Sequence, residues 1–321
     1  MKTRITDLLK IERPIIQGGL AYLGYAELAA VVSNAGGLGQ ITAMTLNTPE
    51  RLKEEIQKVR KLTDKPFGVN FAIGSYNGAY MELLEMAIAE KVRVISITGG
   101  NPQPILERIK GEGILSLVLV STVRQALKAE LLGASAVIAV GQEGGGHIGK
   151  DDIGTMVLIP RVAESVSIPV IASGGIGDGR GFLAALALGA QGIEMGTRFI
   201  ATAECVDAIQ TYKAALVEGT EMDTVVIKRT FGTPGRVLKS NYTLDIIEKE
   251  RQGAKYEDLK DKISGKSNLK FIYDDDQVNG FAWAGQVMGL INDVPTVSHL
   301  MDKIMKDATE GAVRLQSICK G

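Results

Sequence analysis

Gly141-Gln142-Glu143-Gly144-Gly145-Gly146-His147-Ile148-Gly149 is the stretch whose reading decides the fold. The apolar run Ser135 to Val140 leads straight into it. A strand that ends in glycines lets backbone approach whatever lies beyond, because glycine has no Cβ to hold a ligand off. His147 is one of only two histidines in 321 residues, and an imidazole gives or takes a proton near neutral pH. The loop is expected to lie against a flat cofactor with His147 facing the substrate. Taken alone, the stretch equally fits a glycine turn with a solvated histidine.

Working outward, the same unit recurs eight times: a short β-branched run, a glycine or small polar ending, then a helical period. The runs are Ile15-Ile16, Leu38 to Thr42, Phe67 to Phe71, Arg93 to Ile97, Ile114 to Val120, Ser135 to Val140, Ile168 to Ala172 and Gln191 to Met195. Helices are expected over about Tyr25–Ala35, Thr48–Lys61 (Thr48 as N-cap, Pro49 at the first helical position), Ala79–Lys91, Thr122–Leu132, Thr155–Ser165, Phe182–Leu188 and Cys205–Leu216. Alternating strands and helices with continuously apolar strands imply a parallel sheet buried on both faces. Eight units match a closed (β/α)₈ TIM barrel better than an open doubly wound sheet.

In such a barrel the ligand sits at the carboxyl ends of the strands. Those ends carry Gln17-Gly18-Gly19, Gln40, Asn70, Thr98-Gly99-Gly100, Ser121, the His147 loop, Ser173-Gly174-Gly175 and Gly196-Thr197. A ring of bare backbone and small hydrogen-bonding groups suits a large, flat, polar-edged ligand. Ala172 to Ile176 and Met195 to Phe199 follow the seventh and eighth strands, where such barrels bind phosphate through free N–H groups at a helix start. Together they suggest flavin mononucleotide (FMN).

From about Asp223 the rhythm changes. Thr224 to Lys228 reads as a strand, Thr243 to Gln252 and Tyr256 to Lys262 as charged helices, and Ser264 to Asp276 as a polar segment without period. Gly285 to Ile291 reads as a turn entering an apolar helix, and Thr296 to Ile318 as one or two amphipathic helices. The expected division is a barrel over 1–222, a smaller, mostly helical C-terminal insertion over the mouth at 223–290, and terminal helices over 291–321 packing back on the barrel.

The 36 basic and 37 acidic residues nearly cancel, which gives no field for nucleic acid or an anionic membrane. Cys205 and Cys319 suggest neither a disulfide framework nor a metal site, and Cys205 is expected to be a buried thiol. The start lacks a signal-peptide core and no apolar run nears the roughly 18 residues of a membrane span. A cytoplasmic enzyme of a small-molecule substrate is expected, with a homodimer left open. Gly144 to Gly149 formally fits G-x-G-x-x-G, but no helix opens there and no acid stands about twenty residues on, so a dinucleotide fold is rejected. Asp151-Asp152 lacks further metal ligands and reads as a solvated turn or cap. Trp283 fits a pocket lining or the core equally.

With these residues in hand, the chain resembles the nitronate monooxygenase family of FMN enzymes, which includes an NADH:quinone reductase branch and is related to the flavin-dependent enoyl-acyl carrier protein reductase. Pro14 to Gly19, Pro66 to Asn70, Gly145 to Gly149, Ile171 to Ile176, Gly179 to Gly181, Met195 to Phe199 and Gly285-Gln286 carry the likeness, which spans essentially the whole chain. It implies that His147 is the active-site histidine, Asn70 contacts the flavin's sugar-like chain, and Gly18, Gly19 and Leu20 lie under the ring. It also implies phosphate binding by Gly175, Gly196 and Thr197, with Gly145, Ser173 and Gly174 in the same cofactor site. Leu119 stands where some relatives place a lysine, Val140 where several place an acid, and Glu143-Gly144 departs from a small-residue pattern. The implied activity is oxidation of alkyl nitronates by O₂, with His147 orienting the nitronate or taking a proton from a nitroalkane. The alternative is a flavin reductase of quinones or enoyl thioesters driven by NAD(P)H. A non-catalytic FMN sensor leaves His147 without a task.

Overall fold

In the computed structural model, which describes residues 1–74 and 80–320, eight parallel strands form the barrel. In chain order these are β1 (Ile15–Gln17), β2 (Gly39–Thr42), β3 (Phe67–Ala72), β4 (Val94–Thr98), β5 (Leu115–Val120) and β6 (Ala136–Val140). A two-residue strand, β7 (Gly146–His147), interrupts the series before β8 (Val170–Ser173) and β9 (Gly192–Met195) complete it. Around the barrel the order is β1-β9-β8-β6-β5-β4-β3-β2. A parallel bridge between Ile16 and Leu38 closes the ring, with Gln17 N donating to Leu38 O at 2.9 Å.

Strand alternation sorts the side chains into two layers. Ile16, Leu38, Val94, Leu117, Ala136, Ile138 and Ile171 fill the barrel. Their partners at the neighbouring positions pack outward against the helices. The foot of the barrel is plugged by Ile5, Leu9 and Ile11 from the N-terminal helix Arg4–Leu9 and the turn after it. Close helix–strand packing is written into Gly39, where any Cβ would overlap the carbonyl of Ala29. Thr48 caps the helix Pro49–Leu62 by accepting from Arg51 N at 3.3 Å. The expected start of the next helix at Ala79 lies outside the described residues, and Tyr80–Ala89 is helical.

The C-terminal part is mostly helical, as expected, and the expected strand at Thr224 is β10 (Thr224–Ile227). It pairs antiparallel with β11 (Gly235–Leu238), a strand the sequence did not reveal, and β11 also pairs with β7. Ser264 to Asp276 is not irregular, since Ser264 caps a helix over Gly265–Asp274 whose Ser267, Asn268, Phe271 and Ile272 are buried. Two of those four are polar, which hides the stripe from a hydrophobic count. Finally, Gln286–Leu290 is a short 3₁₀ helix, and a single helix, Val297–Lys320, closes the chain. That last helix packs against Gly179–Ala187, where a Cβ on Gly179 would stand 2.7 Å from Ile304 O. The expected helix near Cys205 begins only at Gln210, after a one-turn helix Thr197–Ile200. Among the described residues no helix is long and apolar enough to cross a membrane.

Candidate active site

The carboxyl ends of the barrel strands bring the expected residues into one constellation. Gly19 carries no Cβ where one would overlap the amide of Asn70. Asn70 Nδ2 donates to Ser96 Oγ at 2.8 Å and to Thr98 Oγ1 at 3.0 Å, which fixes its orientation across β3 and β4. Leu20 N donates to Thr42 Oγ1 at 3.0 Å, and the Leu20 side chain lies beside Gly196. Gly18 faces the side chain of Glu194, and Ser173 Oγ donates to Glu194 Oε2 at 2.9 Å. Gly174 and Gly175 take φ of +92° and +73°, a region open to glycine at little cost. Gly196 starts the helix Thr197–Ile200 with no side-chain cap, leaving its first N–H groups to an outside acceptor. Thr197 Oγ1 accepts from Gly285 N at 2.9 Å and retains its own proton to donate. Gly145 packs so closely on this pair that a Cβ would stand 2.6 Å from Gly285 N.

Bare backbone at Gly174 and Gly175, free donors at Gly196 and Thr197, and a floor cleared by Gly18 and Gly19 fit a flavin mononucleotide, phosphate at one end and ring over the strand ends. Val140, one of the departures from the family pattern, belongs to that floor. Val140 pairs with Ser173, and Ser173 pairs with Glu194, across β6, β8 and β9. A carboxyl therefore enters the floor from β9 rather than from β6. Burial raises the Glu194 pKa to about 7, and the Ser173 hydrogen bond pulls only weakly the other way. Glu143 has a separate duty: its carboxylate accepts from Thr155 N and Oγ1, capping the helix Thr155–Ala163 whose own N-cap, Gly154, has no side chain.

His147 stands at the rim, paired through β7 to Gly235 of β11. Its neighbours come from the C-terminal part. Lys228, just past β10, donates from Nζ to His147 Nε2 at 3.1 Å. The Trp283 ring lies 5.2 Å from the imidazole, tilted by 39°, and 5.1 Å from the Lys228 ammonium. Phe281 meets Trp283 edge-on at 5.1 Å. An ammonium has only hydrogens to offer, so Nε2 must accept, and the neutral ring carries its proton on Nδ1. Crowding by protein and then the Lys228 charge push the His147 pKa down to about 3. His147 is nevertheless an exposed residue, and access of water weakens the downward shift. With Nε2 accepting from Lys228, the neutral ring presents Nδ1–H as a hydrogen-bond donor. Burial lowers the Lys228 pKa to about 8 against the opposing charge of Glu250.

Sequence reasoning did not find Lys228, Glu194 or the pairing of β11 with β7. Lys228 lies 81 residues from His147, and nothing local marks a lysine at a strand end as facing inward. Trp283 was singled out, and it lines the site half-buried. Cys205 is buried as expected, its pKa raised to about 12 by burial. Asp152 is tied to Arg229 at 2.8 Å.

Comparison with known proteins agrees with this geometry. The family model described as nitronate monooxygenase matches residues 2–77 and 73–307. The structure of FabK from Thermotoga maritima superposes with a TM-score of 0.94 at 39% identity, covering 99% of each chain. A nitroalkane oxidase from Streptomyces ansochromogenes gives 0.82 at 30% identity over 97% of this chain and 99% of that one. Among curated proteins, the chain is 33% identical, over 96% of both, to a (3aS,4S,5R,7aS)-5-hydroxy-7a-methyl-1-oxo-octahydro-1H-indene-4-carboxyl-CoA dehydrogenase of Rhodococcus jostii.

Proposed function

The chain belongs to the nitronate monooxygenase family and is an oxidoreductase, and from that premise we propose that it reduces an α,β-unsaturated thioester with FMN and NAD(P)H. The observation that carries the reading is the Lys228–His147 contact, which keeps the imidazole neutral with its proton on Nδ1. Delivering a hydride to one carbon of a conjugated thioester requires a proton for the other, and a positioned donor serves that need. The likenesses to FabK, of the enoyl-acyl carrier protein reductase kind, and to a dehydrogenase of a CoA thioester support the substrate class.

FMN, when bound, would supply hydride transfer. Gly174, Gly175, Gly196 and Thr197 would hold its phosphate, with Ser173 and Gly145 closing the same pocket. Gly18, Gly19 and Leu20 would lie against its ring, and Asn70 would hold its ribityl chain. His147 would donate Nδ1–H to the substrate, and Trp283 would hold the imidazole in place by packing against it. In this reading 223–290 acts as a cover that carries Lys228 and Trp283 to a barrel made by 1–222, and 291–321 braces the barrel from outside.

A second reading, nitronate oxidation with O₂, is favoured by the family model and the nitroalkane oxidase likeness. There the Nδ1–H and the ammonium would bind the nitronate's negative oxygens. Steady-state assays separate the two. The expected outcome is NADH or NADPH oxidation matched one-for-one by saturated thioester when crotonyl-CoA is supplied. Nitrite release from a nitronate, with no thioester reduced by either nucleotide, would overturn the first reading in favour of the second. His147→Ala should retain FMN and lose turnover.

A further inference from the structure

We propose that Lys228 is the proton reserve of the site: its ammonium reloads Nε2 of His147 as the imidazole gives its Nδ1 proton to the substrate carbon. This rests on the reading of His147 as donor to an enoyl thioester.

The placement of Lys228 is unusual in three ways. It is buried, it sits at φ +64°, and it forms no ion pair with a carboxylate among the described residues. A left-handed backbone is uncommon for a residue with a Cβ, and here it is held by Glu250. Glu250 Oε2 accepts the Lys228 N–H at 2.9 Å, and Oε1 accepts from Thr230 N and Oγ1 at 3.2 and 2.8 Å. Both carboxylate oxygens are thereby committed to the turn, and the ammonium is left to His147 and the face of Trp283. An unpaired buried ammonium is costly, so a proton on it is readily released. The other charged groups nearby point elsewhere: Arg229 to Asp152, and Arg236 to Gln142 O and Thr224 Oγ1. Lys150 reaches only the outer turn at Gly232.

The step balances without any change of oxidation state. Once the β-carbon has received its hydride, the electron pair on the α-carbon takes the proton, so a C–H bond forms and Nδ1–H breaks. Nζ–H breaks and Nε2–H forms in the same movement. Imidazole stays neutral in its other tautomer, and Lys228 becomes a neutral amine. Water at the exposed histidine then gives a proton to Nδ1 as the Nε2 proton returns to the amine, and the hydroxide left behind passes to the solvent.

The test uses FMN-loaded protein, reduced and mixed without oxygen with crotonyl-CoA from about pH 6 to 10. Wild type should be reoxidised quickly and slow down above about pH 8, where the reserve is empty. Lys228→Met should slow this step by about 10²- to 10⁴-fold while its reduction by NAD(P)H changes by less than about threefold. Lys228→Arg keeps the charge but cannot release a proton, so it should remain slow and insensitive to pH. An arginine variant with the wild-type rate and pH profile would overturn the proposal, because charge alone would then suffice. Failure of wild type with every thioester would instead count against the functional reading. ¹⁵N NMR of His147 still reads the relay in that case: Nε2 should gain its proton as Lys228 titrates, and a tautomer unchanged by pH overturns it.

Discussion

From Ile15 to Met195 the chain builds the site's floor largely from neighbours in sequence, with β2 to β6 each pairing with the next strand. From Thr224 to Leu290 it builds the cover from distant partners: β11 against β7, Lys228 against His147, Gly285 against Thr197. The floor is made of glycines and small side chains, tolerates little added volume, and carries the buried Glu194 carboxyl with no ion pair among the described residues. The cover brings a lysine and a tryptophan onto His147 at the barrel's rim, and their meaning lies in those mutual contacts. The two regions therefore fail differently: the floor by steric overlap, the cover by loss of chemistry on an intact barrel.

The largest effect should come from the floor's scaffold. Gly39→Val would force a side chain into the Ala29 carbonyl of the helix packed on the outside of β2. Backbone has no rotamer with which to yield, so we expect loss of several kcal/mol, read as insoluble protein or a collapse of the thermal midpoint. A mild thermal shift would show that β2 can move away from its helix.

Next is Trp283→Ala, which removes the ring against His147, Lys228 and Phe281. Aromatic truncation costs about 3–5 kcal/mol in a full core, and this half-buried ring should cost less, about 2 kcal/mol. Its signature is the division of effects: FMN affinity within about threefold of wild type and turnover sharply lower. Loss of FMN in proportion to activity would erase the distinction between floor and cover.

Glu194→Gln tests the floor's electrostatics. A carboxyl whose folded pKa is raised to about 7 favours the folded state at low pH, and that contribution fades as pH rises from about 4.5 through 7. The neutral amide has no such dependence. The variant should therefore match wild type near pH 5 and gain about 1–3 kcal/mol at pH 8, seen as a widening difference between their denaturation midpoints. An equal difference at both pH values would mean that Glu194 is ionised in the folded protein throughout.

The smallest effect belongs to Thr48→Ala, which removes one exposed cap from an outer helix. About 1 kcal/mol of stability should be lost with no change in FMN binding or turnover.

The same contrast explains what the sequence made legible. Each barrel strand was visible because its own residues are apolar and are followed by glycine or small polar groups, a signal carried within a single unit. Gly18, Asn70, Gly174 and Thr197 inherited their place from those strands. The cover's helix over Gly265–Asp274 was hidden because Ser267 and Asn268 occupy its buried face. β11 was missed because Gly235 and Arg236 face Trp283 and Gln142 rather than an apolar layer. Lys228 and Glu194 were invisible for a further reason. Their importance is a depressed or raised pKa, and burial by distant segments creates it.

The account's central claim is that His147, held as a donor by Lys228, protonates a thioester-conjugated carbon. The most direct measurement follows the label: turnover of crotonyl-CoA with unlabelled NAD(P)H in D₂O, with the product's positions read by mass spectrometry and NMR. The account predicts one deuterium at the α-carbon, from the exchangeable His147–Lys228 pair, together with its loss of rate in His147→Ala. Product formed at the wild-type rate by His147→Ala, or a nitronate consumed while the thioester is left intact, would contradict it.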